Sequence, residues 1–237
     1  MIERELPGAR VVFSTREGGV SEGPYESLNL GLFTDDEEGR VVENRRRLAA
    51  AAGLEPEAIA MGWQMHGAEV REWTRTPARP VFPEPADNLP RVDGHTTSVE
   101  GLGLLVIVAD CLPVALSTGE RVGMVHCGWR GLAEGVLDRA IEYFDGEAPE
   151  AAIGPGIGSC CYEVGEEVLE RFEELEGVAD GRMLDLRAIA RHQLEAGGVE
   201  RIEHVDLCTS CRPDLFFSHR RDAGVTGRQG GLVWRTA

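Results

Sequence analysis

The stretch from Leu104 to Gly131, LLVIVADCLPVALSTGERVGMVHCGWRG, constrains this chain more than any other. Two apolar runs flank the turn residues Ser117-Thr118-Gly119-Glu120, the pattern of a buried β-hairpin. A hairpin centred on that turn predicts position 111 opposite 126 or 127, so that the thiol of Cys111 and the ring of His126 face one small volume. Polar residues interrupt the pattern where burial penalises them: Asp110 lies inside the first run, and Gly128-Trp129-Arg130-Gly131 follows the second. A buried carboxylate and an arginine beside a thiol destabilise a fold unless they are paired or used. The Cys–His pair by itself leaves three readings open: nucleophile and base, half of a metal site, or two buried side chains.

With 237 residues and 42% hydrophobic content, residues 1–237 are expected to form one domain, burying on the order of 70–75% of the unfolded surface. No apolar run reaches the roughly 18 residues of a membrane span, since Leu102–Ala109 is cut by Asp110. The opening MIERELPGARVV lacks the apolar centre of a signal peptide, so a cytoplasmic location with reduced cysteines is expected. Cys208-Thr-Ser-Cys211 has redox or zinc-knuckle spacing but no second C-x-x-C, and reads as free thiols in a turn before Pro213. The adjacent Cys160 and Cys161 read as small buried residues.

All 24 basic residues are arginine, which excludes a lysine Schiff base and a P-loop lysine. A net charge of −17 argues against nucleic acid as a partner and requires a local positive pocket for any anionic substrate. Arg16, Arg45-Arg46-Arg47, Arg130 and Arg220-Arg221 are the available donors. Val41, Leu48 and Ala52 define the buried face of a helix begun by Thr34 or Asp35 with the acidic turn Asp36-Glu37-Glu38, and Arg45 shares that inward side. Residues 9–14 read as an opening strand. Residues 59–64 and 68–73 read as a hairpin-like pair around Met65-His66-Gly67, and 74–90 as an irregular, proline-rich excursion. Asp93-Gly94 reads as a turn. Leu132, Val136, Ala140 and Phe144 form one helical stripe ending at Gly146, and Asp185 caps a later helix over Leu186, Ala190 and Leu194.

On the metal reading, His66 would join Cys111 and His126 in a three-ligand set that leaves a coordination position for water or substrate. Nitrogen and sulfur ligands favour zinc or copper over magnesium or calcium. Asp110 would then orient a ligand or accept a proton.

Ten segments carry a family resemblance: FSTREGG at 13–19, SLNLG at 27–31, ENRRRL at 43–48, QMHG at 64–67, VDG at 92–94, ADCLPV at 109–114, HCGWRG at 126–131, IGPGIGSCCYEVG at 153–165, and FFSHRRD with TGR at 216–222 and 226–228. In them the chain resembles the laccase-domain, or multicopper polyphenol oxidase, family of zinc-dependent purine nucleoside phosphorylases with adenosine deaminase activity. The resemblance implies one zinc ion per chain on His66, Cys111 and His126. It implies an α/β (α+β) fold of mixed sheets flanked by helices, like the catalytic domain of a cytotoxic necrotizing factor. It also implies a purine nucleoside (adenosine, inosine, guanosine or methylthioadenosine) and phosphate as substrates. Arg45 is then the candidate phosphate-binding residue, and Cys111, Asp110 and Arg130 the candidate catalytic residues, in a monomer or small homo-oligomer. Copper oxidase chemistry is disfavoured, because six histidines without one H-x-H pair do not make a mononuclear and a trinuclear copper site. Two other readings remain: a metal-free cysteine hydrolase or amidase acting on peptidoglycan precursors through Cys111 and His126, and a metal-stabilised binding protein.

Overall fold

Along residues 103–108 successive side chains enter different cores, Leu104, Val106 and Val108 on one side and Leu105 and Ile107 on the other. A strand buried on both faces requires this. The computed structural model describes residues 1–79, 82 and 89–236. In chain order the strands are β1 (Ile2–Leu6), β2 (Ala9–Phe13), β3 (Ile59–Ala60), β4 (Val70–Glu72), β5 (Gly94–Thr97), β6 (Gly103–Val108), β7 (Leu112–Ser117), β8 (Val122–Cys127), β9 (Glu150–Ile153), the ribbon β10 (Ala179–Asp180) and β11 (Met183–Leu184), β12 (Ile202–His204) and β13 (Gln229–Arg235). The helices are α1 (Glu38–Ala52), α2 (Trp129–Ala133), α3 (Val136–Ile141), α4 (Glu166–Leu169) and α5 (Leu186–Ala196).

One sheet has the order β1-β2-β13-β6-β3 and the other β12-β9-β7-β8-β5-β4. Both are mixed: β3 on β6, β4 on β5 and β12 on β9 are parallel, the other pairs antiparallel. The sheets face each other across a core that includes Val11, Phe13, Val106, Ala115, Met124 and Val233. Helix α1 covers the outer face of the first sheet with Leu48, Ala49 and Ala52. Helices α2, α3 and α5 cover the second, through Leu132, Leu137 and Ile189 against Val114, Leu116 and Val125. The result is a mixed α/β architecture of four layers. No helix among the described residues is long and apolar enough to cross a membrane.

The central stretch differs from expectation in a way that builds the site. Residues 104–117 are not one strand: β6 belongs to the first sheet and β7 to the second, and the chain crosses between them at Ala109-Asp110-Cys111, with Asp110 at φ 92°. The β7–β8 hairpin pairs Leu112 with Cys127 and Pro113 with His126, which leaves Cys111 just beyond the last pair. The segments at 59–64 and 68–73 are not a hairpin either, because β3 and β4 lie in different sheets. After β3 the side chain of Gln64 replaces backbone pairing, donating to the Ile107 carbonyl and accepting from the Ile107 N–H, each at 2.8 Å.

Helix α1 begins at Glu38, and Asp36 does not enter it: its carboxylate accepts from Ser21 and Asn29. The stripe after Gly131 is broken at Gly135, whose φ of 77° only glycine adopts at low cost. Asp185 caps α5 as expected, accepting from the N–H groups of Arg187 and Ala188. Strand β1, half-exposed and charged, was not legible as a strand. Of the excursion at 74–90, residues 80, 81 and 83–88 lie outside the described residues, and Phe82 is fully buried.

Candidate metal centre and its cavity

The chain crosses between the sheets at 61–69 and at 109–111, and each crossing carries one of the expected ligands. His66 and Cys111 meet His126, from the end of β8, with one ligand atom of each residue within 4.8 Å of the others. The two imidazoles stand edge to face, with ring centroids 4.9 Å apart. Gly128 gives the group its room: a Cβ there would lie 3.0 Å from the Cys111 sulfur and 3.4 Å from His66 Cδ2.

Asp93, read from sequence only as part of a turn, organises this centre. Its buried carboxylate accepts from His126 Nδ1 at 2.8 Å and from the N–H groups of Met65, His66 and Gly67 at 3.0, 2.8 and 2.9 Å. Three successive N–H groups around one carboxylate form an anion-binding nest, and they hold His66 at φ 60°, where a side-chain-bearing residue is strained. A carboxylate can only accept, so His126 carries a proton on Nδ1, and Nε2 is the nitrogen that would face a metal. Sequence does carry a signal for Asp93, since a metal-bound imidazole needs an acceptor on its other nitrogen, but the D-G pair is also an ordinary turn dipeptide.

The electrostatics make the metal-free centre a thiolate beside an imidazolium, whose ligating proton a metal would displace. Burial pushes the Cys111 thiol up, yet the neighbouring His126 and His66 outweigh it and bring the pKa to about 6. For His126, burial acts downward, and Cys111 and Asp93 overcome it to about 9. Burial likewise raises Asp93, but its bonds to His126 and the loop N–H groups hold it below the ordinary carboxylate range. A thiolate, two imidazoles and an imidazole-orienting carboxylate fit a borderline transition metal such as zinc.

The triad lies in the wall of a cavity of about 490 Å³. Arg45, Arg130, Arg220 and Arg228 also line it, and Asp110 is the one lining carboxylate among the described residues. Both oxygens of Asp110 are engaged, by the Thr209 hydroxyl at 2.6 Å and the Arg220 N–H at 2.7 Å, so it ties the 209–220 loop to the sheet crossing. Arg45 is almost wholly buried, gives Nε to the Leu30 carbonyl and Nη1 to the Phe82 carbonyl, and forms no ion pair among the described residues. Burial without such a partner lowers its pKa to about 9. Arg130 is exposed and stacks on Trp129 at 4.4 Å. At the cavity mouth the rings of Phe33 and Trp63 lie 4.2 Å apart.

The other arginines divide. Arg16 lies away from this cavity, Arg46 and Arg47 are exposed, and Arg221 closes its own loop on Asp222 and the Thr209 and Phe216 carbonyls. Tyr162, His219 and Arg228 enter the cavity from motifs to which sequence reasoning gave no role. Cys160 is exposed and Cys161 half-buried, not buried as expected, and both stand close to Cys211.

Known proteins share this architecture. The multi-copper polyphenol oxidoreductase laccase family matches residues 10–236. The purine nucleoside phosphorylase YlmD of Geobacillus stearothermophilus is 37% identical over 250 residues, covering 96% of this chain and 90% of that protein. The purine nucleoside phosphorylase YfiH of Escherichia coli K12 is 38% identical over 240 residues, covering 96% and 94%. The crystal structure of YlmD from G. stearothermophilus superposes with a TM-score of 0.89 at 35% identity, over 97% of this chain and 93% of that one. The chain therefore belongs to the multi-copper polyphenol oxidoreductase laccase family.

Proposed function

We propose that this protein is a zinc-dependent purine nucleoside phosphorylase that also deaminates adenosine. The observation carrying the reading is the His66–Cys111–His126 group opening onto a cavity that gathers four arginines in a chain of net charge −17. Relatives at 37% and 38% identity that bear the name purine nucleoside phosphorylase support it.

In phosphorolysis an oxygen of inorganic phosphate bonds to ribose C1′ as the C1′–N9 bond breaks, and the purine leaves with the electron pair and takes up a proton. The phosphate dianion needs cationic partners, and Arg45 offers a guanidinium without a carboxylate partner among the described residues. Arg130, exposed at the rim, stabilises negative charge developing on the leaving base. Phe33 and Trp63 offer aromatic faces on which a purine stacks. Asp93 keeps His126 in the ligating tautomer, and Asp110 keeps the loop carrying Arg220 in place. A bound zinc supplies a Lewis acid and a water of lowered pKa, the requirement for deamination. Reduced ligand thiols suit a cytoplasmic enzyme, and we expect a monomer or small homo-oligomer. We also assign the four-layer order to the cytotoxic necrotizing factor catalytic-domain type, which backbone superposition tests.

The experiment is incubation of the purified protein with inosine and phosphate. Hypoxanthine and ribose 1-phosphate should appear, and adenosine should yield inosine and ammonia. No hypoxanthine with zinc supplied would refute the reading. One observation favours a second reading: Asp93, His126 and Cys111 stand in the order of an acid–base–thiol relay. A metal-free hydrolase of that kind would lose activity to iodoacetamide and be indifferent to chelators.

A further inference from the structure

The four cysteines at 160, 161, 208 and 211 converge far along the chain from the triad. Their sulfurs all lie within 4.8 Å of one another, with Cys161 and Cys211 3.4 Å apart and Cys160 and Cys211 3.6 Å apart. These are free thiols, well outside the ~2.0 Å of a disulfide bond. A zinc ion with four bonds of about 2.3 Å sets edges of about 3.8 Å in its sulfur tetrahedron, the spacing approached here. The surroundings are shaped to the sulfurs. The Gly158 N–H donates to Cys208 Sγ at 3.2 Å, and a Cβ at 158 would stand 3.2 Å from the Cys160 sulfur. The guanidinium of Arg187 joins the two loops, donating to the Gly156 and Leu207 carbonyls.

We propose that Cys160, Cys161, Cys208 and Cys211 bind a second zinc ion, structural because four protein ligands close its coordination shell. Its site has the chemistry of a zinc knuckle in which an adjacent Cys-Cys pair replaces one C-x-x-C arm. The ion joins two loops that both reach the cavity. Tyr162 follows Cys161 directly, and the loop after Cys211 carries His219 and Arg220. Across the junction Arg220 Nη1 donates to the Glu163 carbonyl at 2.6 Å, its guanidinium lies 5.1 Å above the Tyr162 ring, and the Thr209 N–H donates to the Gly156 carbonyl at 3.0 Å. Four thiolates on one ion fix a wall that these bonds and the Gly158 and Arg187 contacts already join. The inference does not depend on which reaction the cavity carries out.

The test is zinc content after purification with reductant and exhaustive dialysis. Wild type should hold two zinc ions per chain, Cys111→Ser one, and Cys160→Ser/Cys208→Ser one with a lowered Tm. To remove dependence on how that double variant folds, Cys111→Ser protein is loaded with Co²⁺ alone. It should show the intense sulfur-to-cobalt charge-transfer absorption and the d–d bands of a tetrahedral tetrathiolate. Cys111→Ser protein that retains no zinc and shows no cobalt–thiolate absorption would overturn the proposal, as would a Cys161–Cys211 disulfide formed in place of metal binding under reductant.

Discussion

Replacing Asp93 by asparagine tests how the centre is held together. The carboxylate accepts on Oδ1 from the His66 N–H and His126 Nδ1, and on Oδ2 from the Met65 and Gly67 N–H groups. An amide of the same shape can accept on one side only. With its NH₂ facing Met65 and Gly67 two charge-assisted bonds are lost, at about 1.5 kcal/mol each or ~3 kcal/mol of stability; facing His66 and His126 it loses the His66 bond and keeps His126 only by reversing that bond. If the NH₂ faces His126, the ring moves its proton to Nε2 and the metal loses its lone pair. Loss of such an orienting group lowers metal affinity about 10- to 100-fold. Affinity is measured by competition with a chromophoric chelator, with Cys111→Ser as the zero point so that only metal held by the triad is counted. Stability is read from urea unfolding of the metal-free proteins. Affinity within twofold of wild type would refute the assignment of Asp93 as the group that orients His126, whatever the stability change.

Gly128→Ala places a methyl 3.0 Å from the Cys111 sulfur and should weaken metal binding about tenfold, as ~1–3 kcal/mol of overpacking implies; undiminished zinc content would contradict this. Arg45→Lys keeps a charge but loses the guanidinium fork, so the KM for phosphate should rise about tenfold with the nucleoside KM little changed, and an unchanged phosphate KM would remove Arg45 from the phosphate site. His95 supplies a pH dependence of stability: burial lowers its pKa from 6.5 to about 4, with Asp93 offsetting part of the effect, while Trp73 Nε1 donates to its Nδ1 at 3.1 Å. Below pH 6.5 the unfolded chain takes up a proton that the folded chain refuses, so this contribution is intact above 6.5 and falls by ~3 kcal/mol as pH drops toward 4. The stability difference between wild type and His95→Gln should shrink over that window, and a gap independent of pH would refute the argument.

Two of the three candidate ligands were legible because thiol and imidazole stand out against apolar strands, and one tight turn brings Cys111 and His126 together; His66 stood out only as a needed partner and through the family resemblance. The route by which they meet was not legible. Nothing in LLVIVADCLPV says that β6 and β7 part into different sheets, since both halves read as apolar strand; only Asp110 marks the crossing. The inward place of Arg45 followed from its spacing on α1, whereas its two carbonyl partners, on Leu30 and Phe82, come from segments with no periodic pattern. The cluster of four cysteines escaped notice for a related reason. Spacing rules detect ligands within one loop, and here two loops about 50 residues apart each give two sulfurs.

The central claim is that His66, Cys111 and His126 share one metal ion at the wall of the arginine-lined cavity. Diffraction from crystals of the purified protein on both sides of the zinc absorption edge tests it directly. An anomalous peak should stand at bonding distance from an imidazole nitrogen of His66, the sulfur of Cys111 and Nε2 of His126. Absence of a peak there in zinc-supplied crystals, or a peak bound by other side chains in its place, would contradict the account.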